Sequence, residues 1–136
     1  MKKKILIVDD DPDILEAIEI IMRSAGHDVS SESNAENLDK ILRNPDTLPA
    51  LIILDILLSG KDGRLICKKL KNNDLTKHIP IIIVSAYPDI EQSSIKAGAD
   101  DFLAKPFDIE TLLGKVNKLA YKETESSGRK VNRKYP

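Results

Sequence analysis

Leu51-Ile52-Ile53-Leu54-Asp55 sets four large apolar residues in a row, two of them β-branched, directly before an aspartate. Turn-prone Pro49 precedes the run, and a loop containing Gly60 and Gly63 follows it. A half-exposed strand would alternate; an unbroken apolar run bounded by turn residues reads as a strand buried on both faces. Asp55 therefore ends a central strand. In an open parallel sheet the carboxyl ends of the strands form the rim where ligands bind, so this carboxylate faces a crevice. Taken alone, Asp55 is most simply a solvated residue closing a strand, and the rest of the chain must decide between the two readings.

Working outward, residues 5–8 form a second apolar run that ends in Asp9, Asp10 and Asp11. Asp11 suits a helix N-cap and Pro12 the first helical position. Ile14, Ile18, Ile21, Met22 and Ala25 recur at helical spacing, and Gly26 is a natural stop. Residues 27–32 around Val29 read as an edge strand. Ser33 and Glu36 stand at capping-box spacing before a short helix carrying Leu38, Ile41 and Leu42. Beyond Asp55, a helix reaching about Lys71 turns Ile66, Cys67 and Leu70 inward. Residues 81–84 form a strand that ends at Ser85, and a helix over 89–97 closes at Gly98. Residues 102–104 make a fifth strand ending at Lys105-Pro106. Asp108 then caps a last helix with Leu112, Leu113, Val116 and Leu119 inside. Five strands alternating with five helices predict an α/β domain, a parallel sheet covered on both faces. The domain is expected to occupy 1–121, with 122–136 a polar, flexible C-terminal tail.

Composition narrows the function. A chain of 136 residues suits one domain, and its single cysteine, Cys67, permits no internal disulfide. With Lys+Arg 21 against Asp+Glu 22, no basic field draws the protein to nucleic acid or anionic lipid. The basic residues Arg129, Lys130, Arg133 and Lys134 read as part of the solvated tail. Trp 0 and 4% aromatic residues argue against a base-stacking surface. Met1-Lys2-Lys3-Lys4 is no export signal, because the apolar run behind it stops after 5–8 and meets the aspartates. There is no run of about 18 apolar residues to span a bilayer. The expectation is a cytoplasmic protein whose domain engages neither nucleic acid nor membrane.

Asp9, Asp10, Asp55, Ser85 and Lys105 all fall at the C-terminal ends of strands and so converge on one edge of the sheet. Carboxylates packed together repel, and oxygen-only ligands favour a hard cation such as Mg²⁺. Lys105 offers a point charge and Ser85 a hydroxyl, both suited to phosphoryl oxygens. A carboxylate can itself accept a phosphoryl group.

ILIVDDDP, LIILDILLSGKDG, IIIVSA and GADDFLAKPF, taken together, resemble the successive signatures of the receiver domain of two-component response regulators, over residues 4 to about 120. The resemblance implies a flavodoxin-like, doubly wound (βα)5 fold with strand order 2-1-3-4-5. It further implies phosphorylation by a sensor histidine kinase or phosphotransfer protein, in a regulator that is not otherwise an enzyme. By resemblance, Asp55 is the phosphoacceptor, and Asp9, Asp10 and Asp55 hold Mg²⁺ together with the backbone carbonyl of Leu57. Ser85, the adjoining Ala86 and Lys105 match the positions that bind the phosphoryl group. Phe102 matches the aromatic switch position and Pro106 the family's cis-proline.

Further expectations follow from the same likeness. Phosphorylation would draw in Ser85, swing Phe102 inward and change the face formed by the fourth helix, fifth strand and fifth helix. That face could form a homodimer, with Asp100, Asp101, Lys115 and Lys122 in cross-subunit ion pairs. Leu15 and Ile20, read as projecting away from the inner face of the first helix, are expected near the kinase, Leu15 in contact with it. Leu57 and Tyr87 flank the path of hydrolytic water, which implies a long-lived phosphoryl group. Ser59 stands where the family often has Pro and Lys61 where it often has an apolar residue, so this loop is expected to be looser.

Other classes fit less well. An Asp-nucleophile phosphohydrolase characteristically carries a second Asp two residues after the nucleophile, where this chain has Leu57. Neither GxGxxG nor GxxxxGK[ST] follows any strand. A degenerate receiver that serves only for docking would lack a key residue, and none is lacking.

Overall fold

A computed structural model describes residues 3–58 and 60–121. Its main sheet holds five parallel strands: β1 (Lys4–Val8), β2 (Asp28–Glu32), β3 (Leu51–Asp55), β4 (Ile81–Ser85) and β5 (Asp101–Ala104). Their order is β2-β1-β3-β4-β5, as expected. Between them run α1 (Pro12–Ser24), α2 (Leu38–Arg43), α3 (Gly63–Lys71) and α4 (Glu91–Lys96), and α5 (Ile109–Ala120) follows β5.

The central strand β3 is buried along its whole length, which is why its sequence shows no alternation. Its side chains divide between two cores. Leu51 and Ile53 join Ile18, Met22, Leu112 and Val116 beneath α1 and α5. Ile52 and Leu54 join Leu38, Leu42, Cys67 and Leu70 beneath α2 and α3. Register then aligns the strand ends, pairing Val8 with Leu54, Asp55 with Val84 and Ser85 with Ala104. Among the described residues no helix is long and apolar enough to cross a membrane.

Helix starts follow the local signals where a side chain meets an orphan amide. Asp11 accepts from the Asp13 N–H at 2.9 Å, and Asp108 from that of Thr111 at 2.7 Å. The capping box at Ser33 and Glu36 does not form. Asn34 takes the Glu36 N–H at 2.9 Å, and α2 starts only at Leu38 behind Asn37, with no side-chain cap. An Asx turn competes for the same amide and wins locally. The fourth helix is shorter than expected. A 3-10 turn over Pro88–Ile90 precedes it, and the hydroxyls of Ser93 and Ser94 donate to the Ile90 carbonyl at 3.0 and 2.9 Å.

Unforeseen in the sequence is a small antiparallel hairpin after β3, pairing Leu57–Leu58 with Lys61–Asp62. Gly60 turns it at φ +82°, a conformation that glycine adopts without strain. Ser59 and the tail 122–136, with Lys122 and its basic residues, lie outside the described residues.

Candidate functional site

The end of each relevant strand delivers one polar group to the rim. Asp9 follows β1 at 2% exposure, and Asp55 closes β3 at 7%. Oxygens of Asp9, Asp10 and Asp55 lie within 4.8 Å of one another, so the three carboxylates form a cluster able to hold a metal ion. Asp9 is aimed by its neighbour, since its Oδ1 accepts from the Asp11 N–H at 2.9 Å. From the end of β5, Lys105 Nζ reaches Asp9 Oδ2 at 3.2 Å and Asp55 Oδ1 at 3.3 Å. Its backbone N–H donates to the Ser85 carbonyl at 2.7 Å, which ties the two strand ends together. Ser85 is fully buried, and its Oγ accepts from the Tyr87 N–H at 2.8 Å. Ala86 is exposed beside it, and the Lys105–Pro106 peptide bond is cis, as the resemblance implied.

Charge at this rim is out of balance. Burial, and next the Asp9 carboxylate, push the Asp55 carboxyl up to about 6 against the opposing pull of Lys105. Burial draws the Lys105 ammonium down, yet Asp55 and Asp9 outweigh it and hold it above its usual range. A divalent cation among the carboxylates would relieve the repulsion, and an all-oxygen donor set fits Mg²⁺.

Three sequence expectations need correction. Phe102 is already inside, 6% exposed and packed in one core with Ile83, Ala99 and Ile90, so no inward swing is left to it. Leu15 does not project from the domain; it is half-buried against the core beneath α1 and α5, while Ile20 is 60% exposed. Leu15 stands three residues before Ile18 and seven before Met22, spacings that put it on the same helical face as those two buried residues. Asp100 and Asp101 find their cations within the chain, Lys71 at 2.8 Å and Lys115 at 2.9 Å. Each aspartate also accepts a strand N–H, from Ile81 and Phe102 respectively, and so serves the edge of the sheet. Leu57 sits on the hairpin and is 51% exposed.

Gly63, in the sequence simply part of the loop after Asp55, packs directly on the Asp55 backbone. A Cβ there would lie 2.5 Å from the Asp55 carbonyl oxygen and 3.0 Å from Ile56 Cα. The available signal was Asp62 before it, which caps α3 by accepting the Arg64 N–H at 2.9 Å. Gly63→Ala should destabilise the fold by about 1–3 kcal/mol, since backbone must give way. Gly114→Ala, where a Cβ meets nothing within 4 Å, should stabilise it by up to about 1 kcal/mol. Urea unfolding of the pair checks this, and equal signs would refute it.

A family model described as the response regulator receiver domain matches residues 5–117. RpaA of Synechocystis, a DNA-binding dual master transcriptional regulator, is 35% identical over 118 residues, covering 85% of this chain and 48% of RpaA. The phosphate regulon transcriptional regulatory protein PhoB of Pseudomonas aeruginosa is 34% identical over 116 residues, covering 84% of this chain and 50% of PhoB. The chain thus spans about half the length of these curated relatives. Among solved structures, a CheY-like response regulator receiver domain protein from Methanospirillum hungatei superposes with a TM-score of 0.79 at 33% identity, covering 94% of this chain and 100% of that one. The signal receiver domain of a signal transduction histidine kinase from Syntrophus aciditrophicus gives 0.80 at 33% identity, covering 91% and 96%. With its strand order, its carboxylate cluster and these matches in agreement, the chain belongs to the response regulator receiver domain family, whose general function is to accept a phosphoryl group.

Proposed function

We propose that residues 1–121 form a receiver unit that takes a phosphoryl group onto Asp55 from a sensor histidine kinase or phosphotransfer protein in the cytoplasm. The observation that supports this most is the Lys105 ammonium lying between Asp9 and Asp55 at 3.2 and 3.3 Å. An Asp55 oxygen attacks phosphorus as the bond to the donor imidazole breaks, leaving an acyl phosphate on the chain. In the metal-free site burial and the Asp9 carboxylate hold the Asp55 carboxyl at about 6, so it is largely ionised at neutral pH.

Asp9, Asp10 and Asp55, with the Leu57 carbonyl, would hold Mg²⁺. When bound, it neutralises charge on the transferring phosphoryl oxygens. Lys105 pairs with the same oxygens, and Ser85 with the adjoining Ala86 closes the other side. Because Phe102 is already buried, we assign the switch to Ser85 and the segment 86–96 on the face of α4, β5 and α5. The kinase would approach along α1, where Ile20 is exposed and Leu15 half-buried. Beyond self-phosphorylation and slow autodephosphorylation, the unit catalyses nothing. Acetyl phosphate with Mg²⁺ should give one hydroxylamine-labile adduct at residue 55; an adduct elsewhere, or none, overturns the reading.

Lifetime is a further expectation of this proposal. Leu57 cannot orient a water, and Tyr87, 59% exposed, can cover its approach. Leu57→Asn and Tyr87→Glu should each hasten loss of phosphate with Mg²⁺ saturating. Loss within seconds in the wild type would contradict this.

A further inference from the structure

One polar chain joins the two loops that flank the Asp55 carboxyl. Asp62 caps α3 and grips the Arg64 guanidinium, with Nε at 3.0 Å from Oδ1 and Nη2 at 2.7 Å from Oδ2. The free arm of the fork, Nη1, donates to Ser93 Oγ of α4 at 2.8 Å. Ser93 Oγ in turn donates to the Ile90 carbonyl at 3.0 Å, at the end of the turn Pro88–Ile90. That turn begins beside Tyr87, whose N–H donates to Ser85 Oγ. All three side chains of the bridge, Asp62, Arg64 and Ser93, are only partly exposed, which limits competition from water.

We propose that Arg64 is a positioning residue that holds α4 in its ligand-free place through Ser93, restraining the movement by which Ser85 would reach a phosphoryl group. The proposal rests on Asp55 as phosphoacceptor. Ser85 cannot travel alone, since its hydroxyl carries the Tyr87 N–H and the turn behind it. The Ile90 carbonyl bears the Ser93 and Ser94 hydroxyls, so the first turn of α4 must follow. Arg64 cannot follow. Its guanidinium is forked onto Asp62, and Asp62 caps a helix whose first residue, Gly63, is packed on the Asp55 backbone. The bond from Arg64 to Ser93 therefore favours the unswitched state, and its loss shifts the balance toward the switched one.

Beryllofluoride with Mg²⁺, a phosphoryl mimic, is titrated into the full chain and into Arg64→Ala, Ser93→Ala and the double variant. Each single substitution should tighten binding by about three- to tenfold, the net worth of an ordinary, partly exposed hydrogen bond. The double variant should gain less than the two single ones combined, because both remove the Arg64–Ser93 bond, while Ser93→Ala also drops the donation to the Ile90 carbonyl. In the ligand-free variants, amides of 86–96 should shift toward their beryllofluoride-bound positions. Unchanged or weaker binding in Ser93→Ala, a small change at a partly exposed position, overturns the proposal, as does an additive double variant. Should the wild type take up no beryllofluoride, the reading of Asp55 falls. The amides of the ligand-free variants would still judge the tie, which is overturned if they stay in place.

Discussion

Asp55→Asn is expected to stabilise the metal-free protein by about 2 kcal/mol at pH 7 to 8 and to change nothing below about pH 4. The folded Asp55 carboxyl holds its proton up to about 6, whereas the ordinary value is 3.8, because burial and then Asp9 disfavour its anion. Between those values the unfolded chain releases its proton first. Wild-type stability therefore falls as pH rises through this window and levels off above it. One pKa unit corresponds to about 1.4 kcal/mol, so a rise to about 6 sets a ceiling near 3 kcal/mol, and local relaxation lowers it. Asparagine keeps the shape and removes the charge. Mg²⁺ should reverse the ranking, since a cation at about 100 times its dissociation constant adds about 2.7 kcal/mol to the wild type and the variant offers one carboxylate fewer. Urea unfolding in EDTA at pH 4, 6 and 8, repeated with Mg²⁺, checks this. A variant less stable than wild type at pH 8 in EDTA would remove the argument.

Lys105→Met should act on chemistry more than on folding. Lys105 is the cation that hydrogen-bonds both Asp9 and Asp55. Without it, the remaining influences on Asp55 are burial and like charge, so its carboxyl should titrate above 6. Protonation of Asp55 then spares the fold most of the cost of an unpaired buried anion, and the stability loss should stay near 1–2 kcal/mol. Labelling by acetyl phosphate should fall at least about tenfold at pH 7, through lost stabilisation of phosphoryl charge and a smaller ionised fraction. Raising the pH should recover only the second part. Carbon-detected titration of the Asp55 carboxyl separates the two, and an unchanged midpoint would show that Lys105 does not tune it. Lys105→Arg keeps the charge but replaces a compact ammonium with a planar fork, and should recover the midpoint better than the labelling rate.

What the sequence determined by itself lay in patterns contained within single elements. An unbroken apolar run can only be satisfied by burial on both faces, so 51–55 declared a central strand and the β/α alternation declared a parallel sheet. Asp11-Pro12 and Asp108 announced helix starts because a cap and the amide it serves lie within three residues of each other. The rim residues were equally legible, since a strand end in a parallel sheet has one destination. Tertiary structure alone decided how residues far apart in the chain share a contact. Asn34 took the amide that the spacing of Ser33 and Glu36 had reserved, a competition between near-equal local hydrogen bonds. Asp100 and Asp101 met Lys71 and Lys115 within the chain because the sheet edge brings β5 beside the end of α3 and the flank of α5. Phe102 lies inside because β4 and the segment before β5 bring Ile83 and Ala99 against its ring, residues distant from it or from each other in the chain. Arg64 meets Ser93, 29 residues on, only because α3 and α4 cover the same face, and no periodicity within either helix encodes that meeting.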